Sequence, residues 1–242
     1  MKISLWVVFY LTLSGLPGIG QIKMREIDEL IDKTDPGWPL IQKWVKDATN
    51  KVEIFPCDIL RAKDALYKTQ VTTHSIMGAV IYHTGGISID NGWIRIIASG
   101  SDKLNRSLMD WNMGKTFKEI GDVAAFLLIA DDAAGGFYAI NGGGLGKDLG
   151  KIYYLSPDDL EWDSLDISYT DFILFCFNGD LNKFYKNIRW KNWPEEVSKL
   201  DGNRVYNFYP FLWTKEGRDV NKTSRKSVPV EEVYRLKMEI MH

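Results

Sequence analysis

Two adjacent carboxylates, Asp131 and Asp132, close an apolar run at residues 124–130 and precede Ala133-Ala134-Gly135-Gly136. Neighbouring carboxylates raise one another's pKa, so this pair, with His83 as a partner, has the residue types for the acid–base work of a hydrolase. The same pair is also a good turn former, because an Asp side chain accepts from backbone N–H groups two residues on. A strand–turn–strand setting favours the turn.

Other motifs carry less chemistry. Asn141-Gly142-Gly143-Gly144-Leu145-Gly146 follows a strand pattern, as phosphate-binding loops do. A second strand pattern follows it, with no helix N-terminus to hold a phosphate, so it reads as a turn with several positive-φ positions. Gly114-Lys115-Thr116 has the ending of a P-loop, but Met109 stands where the first glycine is required. The three histidines, His74, His83 and His242, form no HxH or HxxxH pair, and neither GxSxG nor SxxK occurs. The expectation is a chain without metal, cofactor or legible nucleophile. Cys57 and Cys176 are too few for a disulfide framework. They read either as one bridge formed after export or as two free thiols.

Aromatic content is the remaining candidate for function, with nine Trp, eleven Tyr and eleven Phe. So many large rings do not all fit the centre of one core, and exposed Trp residues anchor interfaces. Trp93, Trp111 and Trp162, together with Asp131 and Asp132, are the candidate binding residues. Basic and acidic residues number 30 and 32, without the basic excess that a nucleic-acid binder shows. With 45% hydrophobic residues in 242, the chain is long and apolar enough for a substantial core.

These residues need elements to position them. Residues 25–32, 39–48 and 58–68 carry apolar stripes at helical spacing, and Val52-Glu53-Ile54-Phe55 reads as a strand ended by Pro56. Residues 77–83 and 87–90 read as strands joined by Thr84-Gly85-Gly86. Asn91-Gly92 turns the chain into a third strand at 93–98. A helical turn is expected at 107–112, and strands at 124–130, 136–141 and 151–155. Ser168 with Asp171 three residues on is a capping box for a phenylalanine-rich helix. Trp193-Pro194 opens another helix, residues 206–213 are densely aromatic, and 214–226 read as a polar loop. Residues 229–241 form a last helix with Val233, Leu236 and Ile240 inward. Helices, then an antiparallel meander, then helices describe one α+β domain over residues 21–242.

Ahead of that domain, Lys2 and the apolar run at 3–13 lead to Gly15, Pro17 and the small residues Gly18-Ile19-Gly20. This is the layout of a secretory signal peptide cleaved after Gly20, which places the mature chain in the periplasm or outside the cell with no stable membrane span. The run is short against the roughly twenty apolar residues that a span requires. An uncleaved anchor and a cytoplasmic chain starting at Met24 are the alternatives.

From Met24 onward the sequence resembles a bacterial family known as domain of unknown function 2625. The resemblance is carried by Asp35-Pro36-Gly37-Trp38-Pro39-Leu40, Gln70-Val71-Thr72-Thr73, Gly92-Trp93-Ile94-Arg95, Asp131 through Gly142, and Tyr153-Tyr154-Leu155-Ser156-Pro157 with Asp158-Asp159-Leu160-Glu161-Trp162. The family implies a fold and no activity. A weaker likeness, over Phe126 to Phe177, is to the Smi1/Knr4-like superfamily, which implies toxin-neutralising immunity proteins acting in the cytosol. The residues point first to a non-enzymatic domain that binds another protein or a small ligand. The alternatives are a hydrolase built on Asp131, Asp132 and His83, and an immunity-type protein if the chain is cytosolic.

Overall fold

The computed structural model describes residues 24–241; the expected leader lies outside them. Two short helices open the chain, α1 (Ile27–Leu30) and α2 (Trp38–Lys46), with Pro39 in the first turn of the second, where its missing N–H costs nothing. Strand β1 (Val52–Phe55) follows, then α3 (Ile59–Thr69), capped by the Asp58 carboxylate on the N–H groups of Leu60 and Arg61.

Residues 76–83 depart from the expected strand. They form helix α4 (Ile76–His83), started by the Ser75 hydroxyl accepting from the Gly78 N–H at 3.0 Å. Ile76, Ala79, Val80 and Ile81 are all buried, so the segment has no polar face and no helical period to read. A short run apolar all round is equally a buried strand or a buried helix. Packing decides it: α4 lies between α2, α3 and α6, and a Cβ at Gly78 would sit 2.0 Å from the Thr72 carbonyl oxygen. Thr84-Gly85-Gly86 accordingly joins a helix to a strand rather than turning a hairpin.

The sheet is a seven-stranded antiparallel meander in strict chain order. After β1 come β2 (Gly86–Ile89), β3 (Ile94–Ile97), β4 (Phe126–Asp132), β5 (Phe137–Asn141), β6 (Ile152–Leu155) and β7 (Trp162–Ser164), with α5 (Leu108–Asn112) between β3 and β4. The first position of the expected three-strand meander thus belongs to β1, which pairs Ile54 with Ile87 of β2. Buried Asn112 splints β4, donating to the Leu128 carbonyl at 2.8 Å and accepting its N–H at 2.7 Å.

Helix α6 (Tyr169–Asn178) has the expected capping box of Ser168 and Asp171, and α7 (Leu181–Phe184) and α8 (Trp193–Val197) follow. The chain ends in a second sheet, β8 (Arg204–Tyr209) against β9 (Ser224–Pro229), and in α9 (Val230–Met241). Part of the expected polar loop is therefore strand β9. Its side chains are half-exposed, which hides it from a hydrophobic pattern.

Both faces of the central sheet are covered. On one, Tyr138 and Tyr154 pack against Phe172 of α6 and against Tyr185. On the other, Phe137 meets Tyr234 of α9, and the Tyr206 N–H of β8 reaches the Ala133 carbonyl at 2.8 Å. A single apolar cluster runs from Leu30 and Ile41 through the sheet to Val230 and Tyr234. The inward stripe of α9 is Val230, Val233, Tyr234 and Lys237, while Ile240, expected inside, is 44% exposed. Cys57 and Cys176 are free thiols, so no bridge forms between them. No helix of the described residues is long and apolar enough to cross a membrane.

Candidate functional site

Asp131 and Asp132 are both fully buried, and successive residues of a strand face opposite sides of its sheet. Asp131 points toward the C-terminal hairpin. Its Oδ1 takes Arg95 Nε at 2.6 Å and its Oδ2 takes Arg106 Nη1 at 2.5 Å, while the two guanidinium groups also donate to the carbonyls of Arg204 and Gly202. Asp132 lies on the other face. Its Oδ1 accepts from the N–H groups of Ala134 and Gly136, both at 2.9 Å, and its Oδ2 accepts from the Tyr154 hydroxyl at 2.6 Å. Burial raises the Asp132 pKa, and these three donors oppose that rise. His83, the proposed third member, stacks on Trp38 at a centroid distance of 4.8 Å, and burial lowers its pKa. The three side chains do not converge. The pair acts as the turn former and as a clamp between the two sheets.

The tryptophans divide. Trp93 is fully buried and Trp111 nearly so, the latter beneath Arg106 at 4.6 Å and Lys115 at 4.2 Å; neither is the exposed anchor expected. Trp162 is half-buried on β7, tilted against Phe126. The glycine-rich turn is held from within by Asn141, whose Oδ1 accepts from the N–H groups of Gly143 and Leu145. Among the described residues, no group of three or more His, Cys, Asp or Glu is placed to hold a metal ion.

A groove of about 290 Å³ opens elsewhere. Four segments remote in sequence build its walls: Thr49 to Lys51 before β1, Asp90 and Asn91 in the β2–β3 turn, Gly179 to Asn182 at the α6–α7 junction, and Trp193-Pro194 at the start of α8. Asp90 and Asn91 have φ of 51° and 62°, a left-handed conformation that Asp and Asn tolerate better than most residues. The Asn91-Gly92 turn recognised in the sequence thus presents two polar side chains to the groove.

Arg189 organises these walls. It donates to Asp90 Oδ2 at 2.5 Å and to Asn182 Oδ1 at 2.7 Å, tying two of the four segments together. Its guanidinium carbon lies 3.9 Å from the Trp193 ring centroid, 4.8 Å from that of Trp93 and 5.3 Å from that of Tyr185. The side chain is only 6% exposed, and burial lowers its pKa while Asp90 opposes the shift. A desolvated guanidinium enclosed by aromatic rings is held in one orientation. Trp93 therefore serves the groove from below, as the bed of Arg189. The other groove residues had no shared signal in the sequence, since each segment reads alone as an ordinary cap or turn.

Residues 27–233 match the model of the family described as protein of unknown function DUF2625. The chain belongs to that family. Two relatives extend the match over nearly the whole length. The uncharacterized protein YbfG of Escherichia coli (strain K12) is 42% identical over 219 residues, covering 90% of this chain and 97% of the relative. An uncharacterized protein of Haemophilus influenzae (strain ATCC 51907 / DSM 11121 / KW20 / Rd) is 43% identical over 211 residues, or 87% and 92% of the two chains. No solved structure matches. The family resemblance read in the sequence is thus the one that holds; neither the DUF2625 match nor these relatives bear out the Smi1/Knr4-like likeness. The antiparallel meander described here is the fold of a DUF2625 chain.

Proposed function

We propose that this protein is a non-catalytic binding domain that holds a small polar ligand in the groove between the β2–β3 turn, α7 and α8. The observation that carries this reading is the groove itself: about 290 Å³, lined mostly by polar side chains and braced by one buried arginine. Its volume is just below the roughly 300–1,000 Å³ of drug-sized sites, which suits a ligand smaller than those. Convergent polar groups on a braced frame fix a ligand's orientation without ordering the frame on binding.

A two-dimensional ¹⁵N–¹H spectrum of the protein, titrated with pooled polar metabolites, tests the reading. The amides of Asp90, Asn91, Asp180 and Asn182 and the Trp193 indole should shift together and saturate. Shifts clustered on any other surface, or none at all, refute it.

A second reading places a protein partner on α3. Leu60 and Ile59 at its start are 74% and 51% exposed, and Tyr67, two turns on from Leu60, is 37% exposed. Exposed Lys63 and Asp64 lie between Leu60 and Tyr67 on the same side of the helix, so the face is the mixed apolar and charged surface that a non-obligate partner covers. In this case crosslinks and line broadening fall on α3, not on the groove.

A further inference from the structure

The groove's hydrogen-bonding groups are spent in a regular way. Asn50 uses its Nδ2 on the carbonyls of Cys176 and Gly179, both at 3.0 Å, which leaves Oδ1 as an acceptor without a donor among the described residues. Asn91 accepts Lys51 Nζ on Oδ1 at 2.8 Å, which leaves its Nδ2 as a donor. Asn182 accepts Arg189 on Oδ1, which likewise leaves Nδ2 as a donor. Asp180 caps α7 with Oδ1 on the Lys183 N–H at 2.9 Å, and its Oδ2 stays an acceptor. Each side chain is fixed through one atom and keeps its second polar atom available. The amide orientations are set by these partners, since a carbonyl demands the NH₂ and a cation demands the oxygen.

The available set is therefore mixed, with donors on Asn91 and Asn182 and acceptors on Asn50 and Asp180. Charge is balanced as well. Asp90 is paired with Arg189, and the walls add one cation, Lys51, and one further carboxylate, Asp180. With the Asp90–Arg189 pair neutral, an anion drawn to Lys51 would also meet Asp180, and a cation drawn to Asp180 would also meet Lys51. Vicinal hydroxyls fit instead, because each hydroxyl both donates and accepts and carries no charge into the site. Trp193 and Pro194 supply an apolar wall for the C–H edge of a ring.

We infer that the groove takes a neutral, hydroxyl-rich ligand, a sugar or sugar-like ring, an inference that rests on the groove being the binding site. Calorimetry on the purified full-length protein, with ¹⁵N–¹H spectra in parallel, tests it against three panels. The first holds glucose, galactose, N-acetylglucosamine and their disaccharides; the second holds free amino acids; the third holds inorganic phosphate and nucleoside monophosphates. At least one sugar should bind saturably and shift the groove resonances. Asn91→Gly keeps the left-handed turn and removes one donor. That variant, and Lys51→Ala, should each weaken sugar binding about tenfold, equivalent to about 1.4 kcal/mol, with an unchanged melting temperature. Saturation of the groove by an amino acid or a phosphate, with the sugars silent, overturns the inference and leaves the groove as a binding site. Silence from all three panels overturns both. Sugar binding that neither variant weakens also overturns the inference.

Discussion

Asp131 shows how one residue's role depends on what surrounds it. Two arginines at its carboxylate are 3% and 8% exposed, and they join the meander to the backbone of residues 202–204. Removing one partner of a buried pair leaves uncompensated charge in a medium that solvates it poorly. Asp131→Ala, which strands both guanidinium groups, is expected to lose about 3–5 kcal/mol in urea unfolding. A loss below about 1 kcal/mol would show that water reaches the cluster and that the clamp is weak. The local sequence favours a turn at this pair, but it does not show that Asp131 is a structural ion-pair partner. A structural and a catalytic carboxylate both sit at a strand end beside glycines, and only the positions of Arg95 and Arg106 assign Asp131 to the first kind.

At the scale of elements, α9 is fastened by a residue of unexpected type. Lys237 is 1% exposed and donates to the carbonyls of Ser156 and Asp159 in the β6–β7 connection, the latter at 2.8 Å. Burial pulls its pKa from lysine's ordinary 10.5 to about 8. Below pH 8 the ammonium is buried in full and its cost is complete. Between about pH 8 and 10.5 the unfolded chain holds a proton that the folded chain has released, so stability rises with pH over that window. A shift of that size corresponds to a rise of about 3 kcal/mol. The difference in unfolding free energy between the protein and Lys237→Met, measured near pH 7 and near pH 10, should follow that rise. Taking the difference cancels the opposing titration of the buried tyrosines. A difference that is flat with pH would mean that the ammonium stays charged on its two carbonyls. Capped helices were readable in the sequence at this scale, because Asp58 and Ser168 act on their own neighbours. Helix α4 has a local cap in Ser75 as well, but its residues are apolar all round, so its type was not readable and is settled by α2, α3 and α6.

For the whole molecule, the meander order sets where the fold opens first. β4 is central, while β1 and β7 are edges whose side chains, Phe55 apart, are half-exposed or exposed. Amides of Ile96, Leu128 and Ala139 are expected to exchange hydrogen only through global unfolding, and those of Glu53 and Asp163 through cheaper local opening. Equal protection of Asp163 and Leu128 by native-state exchange would mean that β7 belongs to the core unit.

By itself the sequence determined the class of fold, the family, most of the strands and the helices capped by Asp58 and Ser168, because alternation, caps and turn residues act over a few positions. The same short-range patterns identified the Asn91-Gly92 turn and the turn after β4, which Asp132 holds and Asp131 does not. Tertiary structure alone decided the identity of α4, the strand β9 and the inward face of α9. It alone also buried Trp93 and Trp111 and turned Asp131 and Asp132 to opposite faces. The groove belongs wholly to this second group. Its walls come from residues 49 to 194, and what unites them is the reach of Arg189 to Asp90 and Asn182 across the packed chain. A site assembled across such separations leaves no period or motif, since each wall segment has its own local reason for the residues it carries.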